Sequence, residues 1–219
     1  MSTNGIISVV DDDMRILVSL ENLFTAMGYQ VRAYDAGELF LAAPKPEAPC
    51  CVILDLNLGT SGGLDVQRQL NLESPMPIIF LTSRRDVRAT VKAMKAGACD
   101  FLMKPVQEDE LLFAVQCALQ QSKLQGEERK IEAEIRRRYL KLTPREQDVL
   151  PFIVRGLLNK QTAYELGTSE ITIRIHRGNI MRKMRADSLA DLVRLAGRLG
   201  IPQDLAWQPP AFVEFATNY

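Results

Sequence analysis

Short apolar runs alternate with amphipathic helical patterns five times over the first 125 residues, and this alternation limits the fold more than any other feature of the chain. It is typical of a doubly wound α/β domain, in which helices cover both faces of a parallel sheet. The predicted strands are residues 6–10, 30–34, 50–54, 77–81 and 100–103. The predicted helices are residues 13–27, 36–42, 64–73, 85–96 and one that begins at 108.

Polar residues mark the ends of four of these apolar runs. Asp11 and Asp12 follow IISVV, Asp55 follows CVIL, Thr82 ends IIFLT, and Lys104 follows DFLM. In open parallel sheets the ligand lies outside the carboxyl ends of the strands. We therefore expect these five side chains to line one cleft.

This set of side chains fits the chemistry of a phosphoryl group bound beside a divalent metal ion. Mg²⁺ prefers carboxylates, water and phosphate oxygens, so Asp12 and Asp55 are predicted ligands, with Asp11 bound directly or through water. Lys104 would neutralise one phosphoryl oxygen as a point charge, and the Thr82 hydroxyl would hydrogen-bond another. A single carboxylate at a strand end is often only a helix cap. The prediction of a metal and phosphoryl site therefore depends on the complete set of five side chains.

The charge of the chain is unevenly distributed, although its net charge is zero. Residues 1–125 carry 11 Lys and Arg against 15 Asp and Glu, whereas residues 136–185 carry 12 against 4, a net charge of +8. A strongly basic segment favours a polyanionic partner, above all nucleic acid. Helical patterns at 144–155, 159–166, 169–184 and 188–199 predict an all-helical domain there, with helix-turn-helix spacing around Gly167.

The helix predicted at 169–184 has one apolar face and one cationic face. Ile173, Ile180 and Met184 share the face that is predicted to pack in the core. The opposite face can enter a major groove, where Arg suits guanine, Asn suits adenine and Ile suits the thymine methyl group, while flanking cations bind phosphate. The predicted DNA contacts are Arg174, Ile175, Gly178, Asn179 and Arg182, with Arg177 and Lys183 at phosphates.

Residues 108–139 contain no proline and a single glycine, so one helix about 48 Å long, at roughly 1.5 Å per residue, can span them. This helix is either a solvated linker or a stem that signals or dimerises. The helix predicted at 188–199 is either a dimer surface or part of the core, through Leu189, Leu192, Val193, Ala196 and Leu199. The predicted boundaries are 1–122 for the α/β domain, 123–140 for a helical linker, 141–200 for the helix-turn-helix domain and 201–219 for a C-terminal tail.

Two segments resemble known families. Residues 5–122 resemble a response-regulator receiver domain through VVDDD, ILDLNLGTSGG, IIFLTS and KAMKAGACDFLMKP, which occur in that family's order. Residues 142–199 resemble the LuxR-type helix-turn-helix of the NarL/FixJ regulators, FixJ-like subgroup, through LTPREQDVL and SLADLVRLA. The first resemblance implies a flavodoxin-like sheet with strand order 2-1-3-4-5.

The receiver resemblance also implies roles for individual residues. Asp55 would accept a phosphoryl group from a histidine kinase, with Mg²⁺ held by Asp12, Asp55 and the backbone carbonyl of Asn57. Thr82 and Phe101 would form a switch pair, in which the hydroxyl turns toward the phosphoryl group and the ring turns inward.

Together, the resemblances imply a two-component response regulator that dimerises on phosphorylation, binds a two-fold symmetric operator and regulates transcription. RNA polymerase is a further candidate partner, and the Lys104–Pro105 peptide would be cis. The resemblance does not imply an enzyme that turns over a separate substrate, since a receiver catalyses only its own phosphoryl transfer and slow dephosphorylation. Two alternatives stay open: a DNA-binding regulator that is independent of phosphorylation, and a haloacid-dehalogenase-type phosphohydrolase, which needs an acid where this chain has Asn57.

The chain shows no secretory signal pattern and no apolar run of the roughly 20 residues that span a bilayer. Its cysteines, at positions 50, 51, 99 and 117, lack metal-binding spacing and are predicted to be reduced core thiols. These features predict a cytoplasmic protein without a membrane partner.

Overall fold

A five-stranded parallel sheet lies at the centre of the N-terminal part of the chain. The computed structural model describes residues 5–59, 62–73, 75–83 and 86–202. The strands are β1 (Ile6–Val10), β2 (Gln30–Tyr34), β3 (Cys50–Leu54), β4 (Ile78–Thr82) and β5 (Asp100–Met103). They are parallel and lie in the order β2-β1-β3-β4-β5, which confirms the predicted sheet.

Four helices alternate with these strands: α1 (Met14–Ala26), α2 (Gly37–Ala42), α3 (Gly63–Glu73) and α4 (Val87–Lys95). Apolar side chains form two clusters, and β3 contributes to both. Val52 and Leu54 lie in one cluster, whereas Cys51 and Ile53 lie in the other. All five residues of β1, β3 and β4 are buried, which explains why these strands read as continuous apolar runs in the sequence.

The chain forms two compact units, the second of which begins at Arg129. This second unit contains α6 (Pro144–Val154), α7 (Asn159–Glu165), α8 (Glu170–Met184) and α9 (Leu189–Arg198). Their boundaries follow local chemistry, since Thr143, Ser169 and Ser188 each cap a helix by accepting a backbone hydrogen bond. At α6 the Glu146 carboxylate accepts in turn from the Thr143 N–H, which completes a capping box.

Helix α5 (Glu108–Tyr139) is continuous over the stretch predicted to be helical. Leu111 and Val115 are buried in the core of the first unit, whereas Ile135 is buried in the core of the second. The chain divides into compact units at Glu128 and Arg129. The second unit therefore begins earlier than residue 141, because the last turns of α5 belong to its core.

Helix α9 buries most of its apolar stripe within the second unit. Leu192 and Ala196 are fully buried, and Val193 and Leu199 are partly buried against the same cluster, while Leu189 is 37% exposed. The helix was interpreted either as a dimer surface or as part of the core. Leu192, Val193, Ala196 and Leu199 pack in the core.

The four cysteines are free thiols, but they do not share one environment. Cys50 and Cys51 are buried, Cys99 is partly exposed and Cys117 is exposed on α5. The prediction of core thiols was therefore wrong for Cys117. The predicted C-terminal tail falls, from residue 203 onward, outside the described residues.

Candidate functional site

Three carboxylates meet beyond the ends of two neighbouring strands. Asp11 and Asp12 follow β1 and Asp55 follows β3, and the register pairs Val10 with Leu54, so both strands end at the same level. One oxygen of each carboxylate lies within 4.8 Å of the other two. Asp11 and Asp55 are buried, whereas Asp12 is exposed. The structure thus gathers the three acids that the sequence singled out.

Lys104 brings a positive charge to these acids. Its Nζ lies 2.5 Å from Asp11 Oδ2 and 3.8 Å from Asp55 Oδ2. The Lys104 N–H donates to the Thr82 carbonyl at 2.8 Å, and the Lys104–Pro105 peptide is cis, as the resemblance implied. The ammonium group therefore lies between carboxylates that follow two different strands.

The Asp55 carboxyl is placed where its charged form is poorly solvated. Burial raises its pKa above the ordinary value of 3.8, Lys104 lowers it, and the neighbouring Asp11 raises it. Its Oδ1 atom is buried and has no hydrogen-bond partner among the described residues. Because an unpaired buried oxygen is costly, this atom favours a cationic ligand.

A divalent metal ion fits this donor set. Hard cations such as Mg²⁺ take oxygen ligands, and here three carboxylates converge while one buried oxygen of Asp55 has no hydrogen-bond partner in the part of the chain that the structure describes. The cluster of Asp11, Asp12 and Asp55 can therefore bind a divalent cation.

Thr82 is fully buried at the end of β4 and contacts a residue near Asp55. The Asn57 side-chain amide donates to the Thr82 hydroxyl at 3.1 Å. Phe101 on β5 is partly exposed, and its ring centroid lies 6.1 Å from that of Phe80. The receiver resemblance had implied a role only for the backbone carbonyl of Asn57, and no spacing rule reveals where its side-chain amide points.

The basic helix α8 buries one face and exposes another. Ile173, Ile180 and Met184 are fully buried in the second unit's core, as their spacing predicted. The exposed residues on its outer side include Arg174, Ile175, Gly178 and Arg182. Helix α7 precedes it across a turn in which Gly167 has a φ of +60°, a conformation that favours glycine.

Four of the predicted DNA contacts, Arg177, Asn179, Arg182 and Lys183, take part in hydrogen bonds within the protein. Lys183 Nζ lies 2.6 Å from Glu146 Oε2, and the two side chains are 25% and 3% exposed. Arg177 Nη1 donates to Asn159 Oδ1 at 3.4 Å, and Arg182 Nη2 donates to Asn179 Oδ1 at 3.2 Å. The bonds differ in how far they restrict contact with DNA. Lys183 is held in a largely buried ion pair, whereas the Arg182 side chain remains exposed.

Glu146 has a role that the sequence had not indicated. It completes the capping box of α6, and its carboxylate also accepts a hydrogen bond from the Lys183 ammonium group on α8. An acidic residue on the buried side of an amphipathic helix was the available signal, since buried acids are almost always paired.

The two units have the architecture of a receiver domain and a helical DNA-binding domain. Residues 7–116 match the response regulator receiver domain family, and residues 140–196 match the bacterial regulatory proteins of the luxR family. The chain therefore belongs to the response regulators that carry a LuxR-type helix-turn-helix, as the resemblance implied.

Curated relatives extend over nearly the entire chain. Nodulation protein W of Bradyrhizobium diazoefficiens is 44% identical over 201 residues, which cover 91% of this chain and 88% of that protein. Response regulator protein TodT of Pseudomonas putida is 44% identical over 196 residues, covering 89% and 86%. Transcriptional regulatory protein FixJ of Bradyrhizobium diazoefficiens is 37% identical over 205 residues, covering 93% and 100%. The predicted function, a two-component regulator of transcription, is confirmed at this level.

Two solved structures are similar in fold and sequence. The response regulator StyR has a TM-score of 0.75 at 40% identity, covering 89% of this chain and 98% of that one. Full-length FixJ from B. japonicum has a TM-score of 0.53 at 35% identity, covering 92% and 100%. Within the part of the chain that the structure describes, no helix is both long and apolar enough to cross a membrane.

Proposed function

We propose that Asp55 accepts a phosphoryl group from a histidine kinase, and that the added charge controls DNA binding by the second unit. The first part rests on one observation: an oxygen of Asp55 that is buried and has no hydrogen-bond partner among the described residues lies in a cluster with Asp11, Asp12 and the Lys104 ammonium group. Such a cluster suits a metal ion and a phosphoryl group better than it suits a structural ion pair, which would leave no acceptor unpaired.

Asp12, Asp55 and the backbone carbonyl of Asn57 would hold Mg²⁺, with Asp11 bound directly or through water. A metal ion at this position offsets the repulsion between a carboxylate and a phosphate dianion. The Lys104 ammonium group lies 2.5 Å from Asp11 Oδ2, so it has to share that acid with an incoming cation.

In the transfer step a carboxylate oxygen of Asp55 attacks the phosphorus atom of a phosphohistidine. The new P–O bond forms as the P–N bond breaks, and the electron pair of the broken bond returns to the imidazole nitrogen. Lys104, already 3.8 Å from Asp55, stabilises charge on one phosphoryl oxygen. The hydroxyl of Thr82 donates to another.

Thr82 and Phe101 would report this event to the β4–β5 side of the sheet. In the structure the Thr82 hydroxyl accepts a hydrogen bond from Asn57, and the Phe101 ring is partly exposed. Rotation of the hydroxyl toward the phosphoryl group breaks that bond, and Phe101 turns inward. The phosphoryl group thereby favours one of two pre-existing states.

The exposed side of α8 binds the DNA. Its exposed side chains suit base edges and phosphates, and Gly178 allows close approach to the groove. Of the two predicted flanking cations, Arg177 binds phosphate, whereas Lys183 holds the helix in place through Glu146. Phosphorylation favours a homodimer that matches a two-fold related site. A cytoplasmic location and contact with RNA polymerase stay predictions.

The deciding experiment compares the full-length protein with Asp55→Asn in Mg²⁺ with and without acetyl phosphate. Sedimentation velocity measures the oligomeric state, and binding to DNA fragments enriched from a genomic library measures affinity. We expect acetyl phosphate to raise mass and DNA affinity of the wild type and to leave Asp55→Asn unchanged. Asp65→Asn is the matched control, since Asp65 is an exposed acid on α3, and it should respond like the wild type.

The two alternatives give different results in the same assay. If Asp55→Asn binds DNA and assembles as the treated wild type does, the regulator acts without phosphorylation. Steady release of phosphate from a phosphoester, lost in Asp55→Asn, would instead identify a phosphohydrolase.

A further inference from the structure

Five of the six exposed residues of α8 form one continuous stripe that begins in the first turn of the helix. They lie at positions 171, 174, 175, 178 and 182, which are spaced by three or four residues and therefore share one face, whereas the sixth, Glu170, is the first residue of the helix. The predicted DNA contacts start at Arg174, so the stripe extends one turn further toward the N-terminus than that set. The residue in this additional turn is Ile171.

Nothing among the described residues accounts for an apolar side chain at Ile171. It is 70% exposed, and Ile175, one turn later on the same face, is 59% exposed. Neither side chain belongs to the core of the second unit, which is filled from the opposite face by Ile173 and Ile180. Isoleucine is also a weaker helix former than the straight-chain polar residues that usually occupy such positions.

The first turn holds Ile171 in a fixed position. Ser169 caps the helix, and its hydroxyl accepts from the Thr172 N–H at 3.1 Å. Ser169 Oγ also lies 2.8 Å from Thr172 Oγ1. These contacts fix the backbone on both sides of Ile171, so its side chain is presented from a preorganised turn.

We propose that Ile171 is a specificity-determining residue that reads a thymine methyl group, and that it forms with Ile175 an apolar pair in a cationic surface. The proposal rests on the proposed entry of α8 into a DNA major groove. In helix-turn-helix proteins the N-terminal residues of the second helix contact base edges. The C5-methyl group of thymine is the apolar feature of that groove, and branched aliphatic side chains can contact it.

The test removes the methyl group from a thymine and, separately, the Ile171 side chain beyond Cβ. Full-length wild type in Mg²⁺ and acetyl phosphate first selects duplexes from a random-sequence library. Each thymine of the selected site is then replaced by deoxyuridine, which lacks only the methyl group, and affinities are measured for wild type and Ile171→Ala. We expect one thymine-to-uracil change to weaken wild-type binding about fourfold, the factor for about 0.8 kcal/mol per buried methyl group. Ile171→Ala should bind the two duplexes equally.

Two variants serve as controls. Leu140→Ala removes an aliphatic side chain that is 69% exposed in the same unit but lies outside the stripe, and it should discriminate between thymine and uracil as the wild type does. Ile171→Val keeps a branched apolar side chain and should retain the discrimination. Thermal unfolding should be unchanged in all three variants, because the altered side chains are exposed.

The outcomes separate this inference from the function on which it rests. If the wild type enriches no sequence, DNA recognition fails, and the role of Ile171 fails with it. If it enriches a sequence but Ile171→Ala keeps the wild-type preference at every thymine, DNA binding stands and the thymine-reading role is overturned. An Ile171→Ala protein that binds all duplexes normally but loses self-association would place Ile171 in a protein interface instead.

Discussion

Lys183 Nζ lies 2.6 Å from Glu146 Oε2, and this ion pair joins the last turn of α8 to the first turn of α6. The Glu146 side chain is 3% exposed and also accepts from the Thr143 N–H. Lys183, although it lies next to the predicted DNA-binding face, thus neutralises a buried carboxylate of the domain core. It fixes the orientation of α8, on which the placement of every residue in the exposed stripe depends.

Lys183→Met should destabilise the second unit by about 3 kcal/mol, because it leaves the Glu146 carboxylate buried without its partner. Urea unfolding followed by circular dichroism measures this loss. The neighbouring Arg182→Met is the matched control. Arg182 is exposed, so we expect a stability change of less than about 0.5 kcal/mol and roughly tenfold weaker DNA binding. Equal stability of the two variants would contradict the structural role of Lys183.

Acid should weaken the second unit through the same pair. Burial raises the pKa of Glu146, but hydrogen bonds from Lys183 and the Thr143 backbone outweigh it, so the pKa lies below its ordinary 4.5. A lowered pKa in the folded state means that the stabilisation is complete above the unfolded pKa and is lost as the pH falls through the folded one. We expect the wild type to lose more stability below about pH 4.5 than a Glu146→Gln, Lys183→Met double variant. Parallel pH dependences would exclude this origin.

Asn57→Ala should shift the receiver toward its activated state. The Asn57 amide donates to the Thr82 hydroxyl, and this bond has to break when the hydroxyl turns toward a phosphoryl group. One such bond contributes about 1 kcal/mol, which corresponds to about a fivefold change in the equilibrium. Titration with beryllofluoride in Mg²⁺ should show correspondingly tighter binding. Asn71→Ala removes a different hydrogen bond, which the Asn71 side-chain amide donates to the Ala96 carbonyl, and it should leave the titration unchanged.

Lys104→Met should strengthen Mg²⁺ binding while it impairs phosphorylation. The ammonium group holds Asp11 and lies close to Asp55, so a metal ion has to compete with it for the same acids. Repulsion between unit charges about 4 Å apart is at least about 1 kcal/mol, so we expect the Mg²⁺ dissociation constant to fall about fivefold or more. Isothermal titration calorimetry measures this constant. Lys123→Met, at an exposed site on α5, should bind Mg²⁺ as the wild type does.

Local sequence patterns were sufficient for the elements and for much of the site. Apolar runs, capping residues and the absence of proline act over a few neighbouring residues, so the strands, the helices and the continuity of α5 could be predicted. The convergence of Asp11 and Asp55 could be predicted as well, because parallel neighbouring strands end at the same edge of a sheet. The buried face of α8 followed from helical periodicity.

Contacts between distant residues were decided only by the tertiary structure. Lys183 and Glu146 are 37 positions apart, and Thr82 and Asn57 are 25 positions apart. Whether a cation faces DNA or a buried acid depends on which helix packs beside it, and hydrophobic periodicity does not encode that choice. For the same reason the sequence left Leu192 open between core and interface. It established which chemical groups this protein carries, and packing determined which of them bind one another and which remain free for a partner.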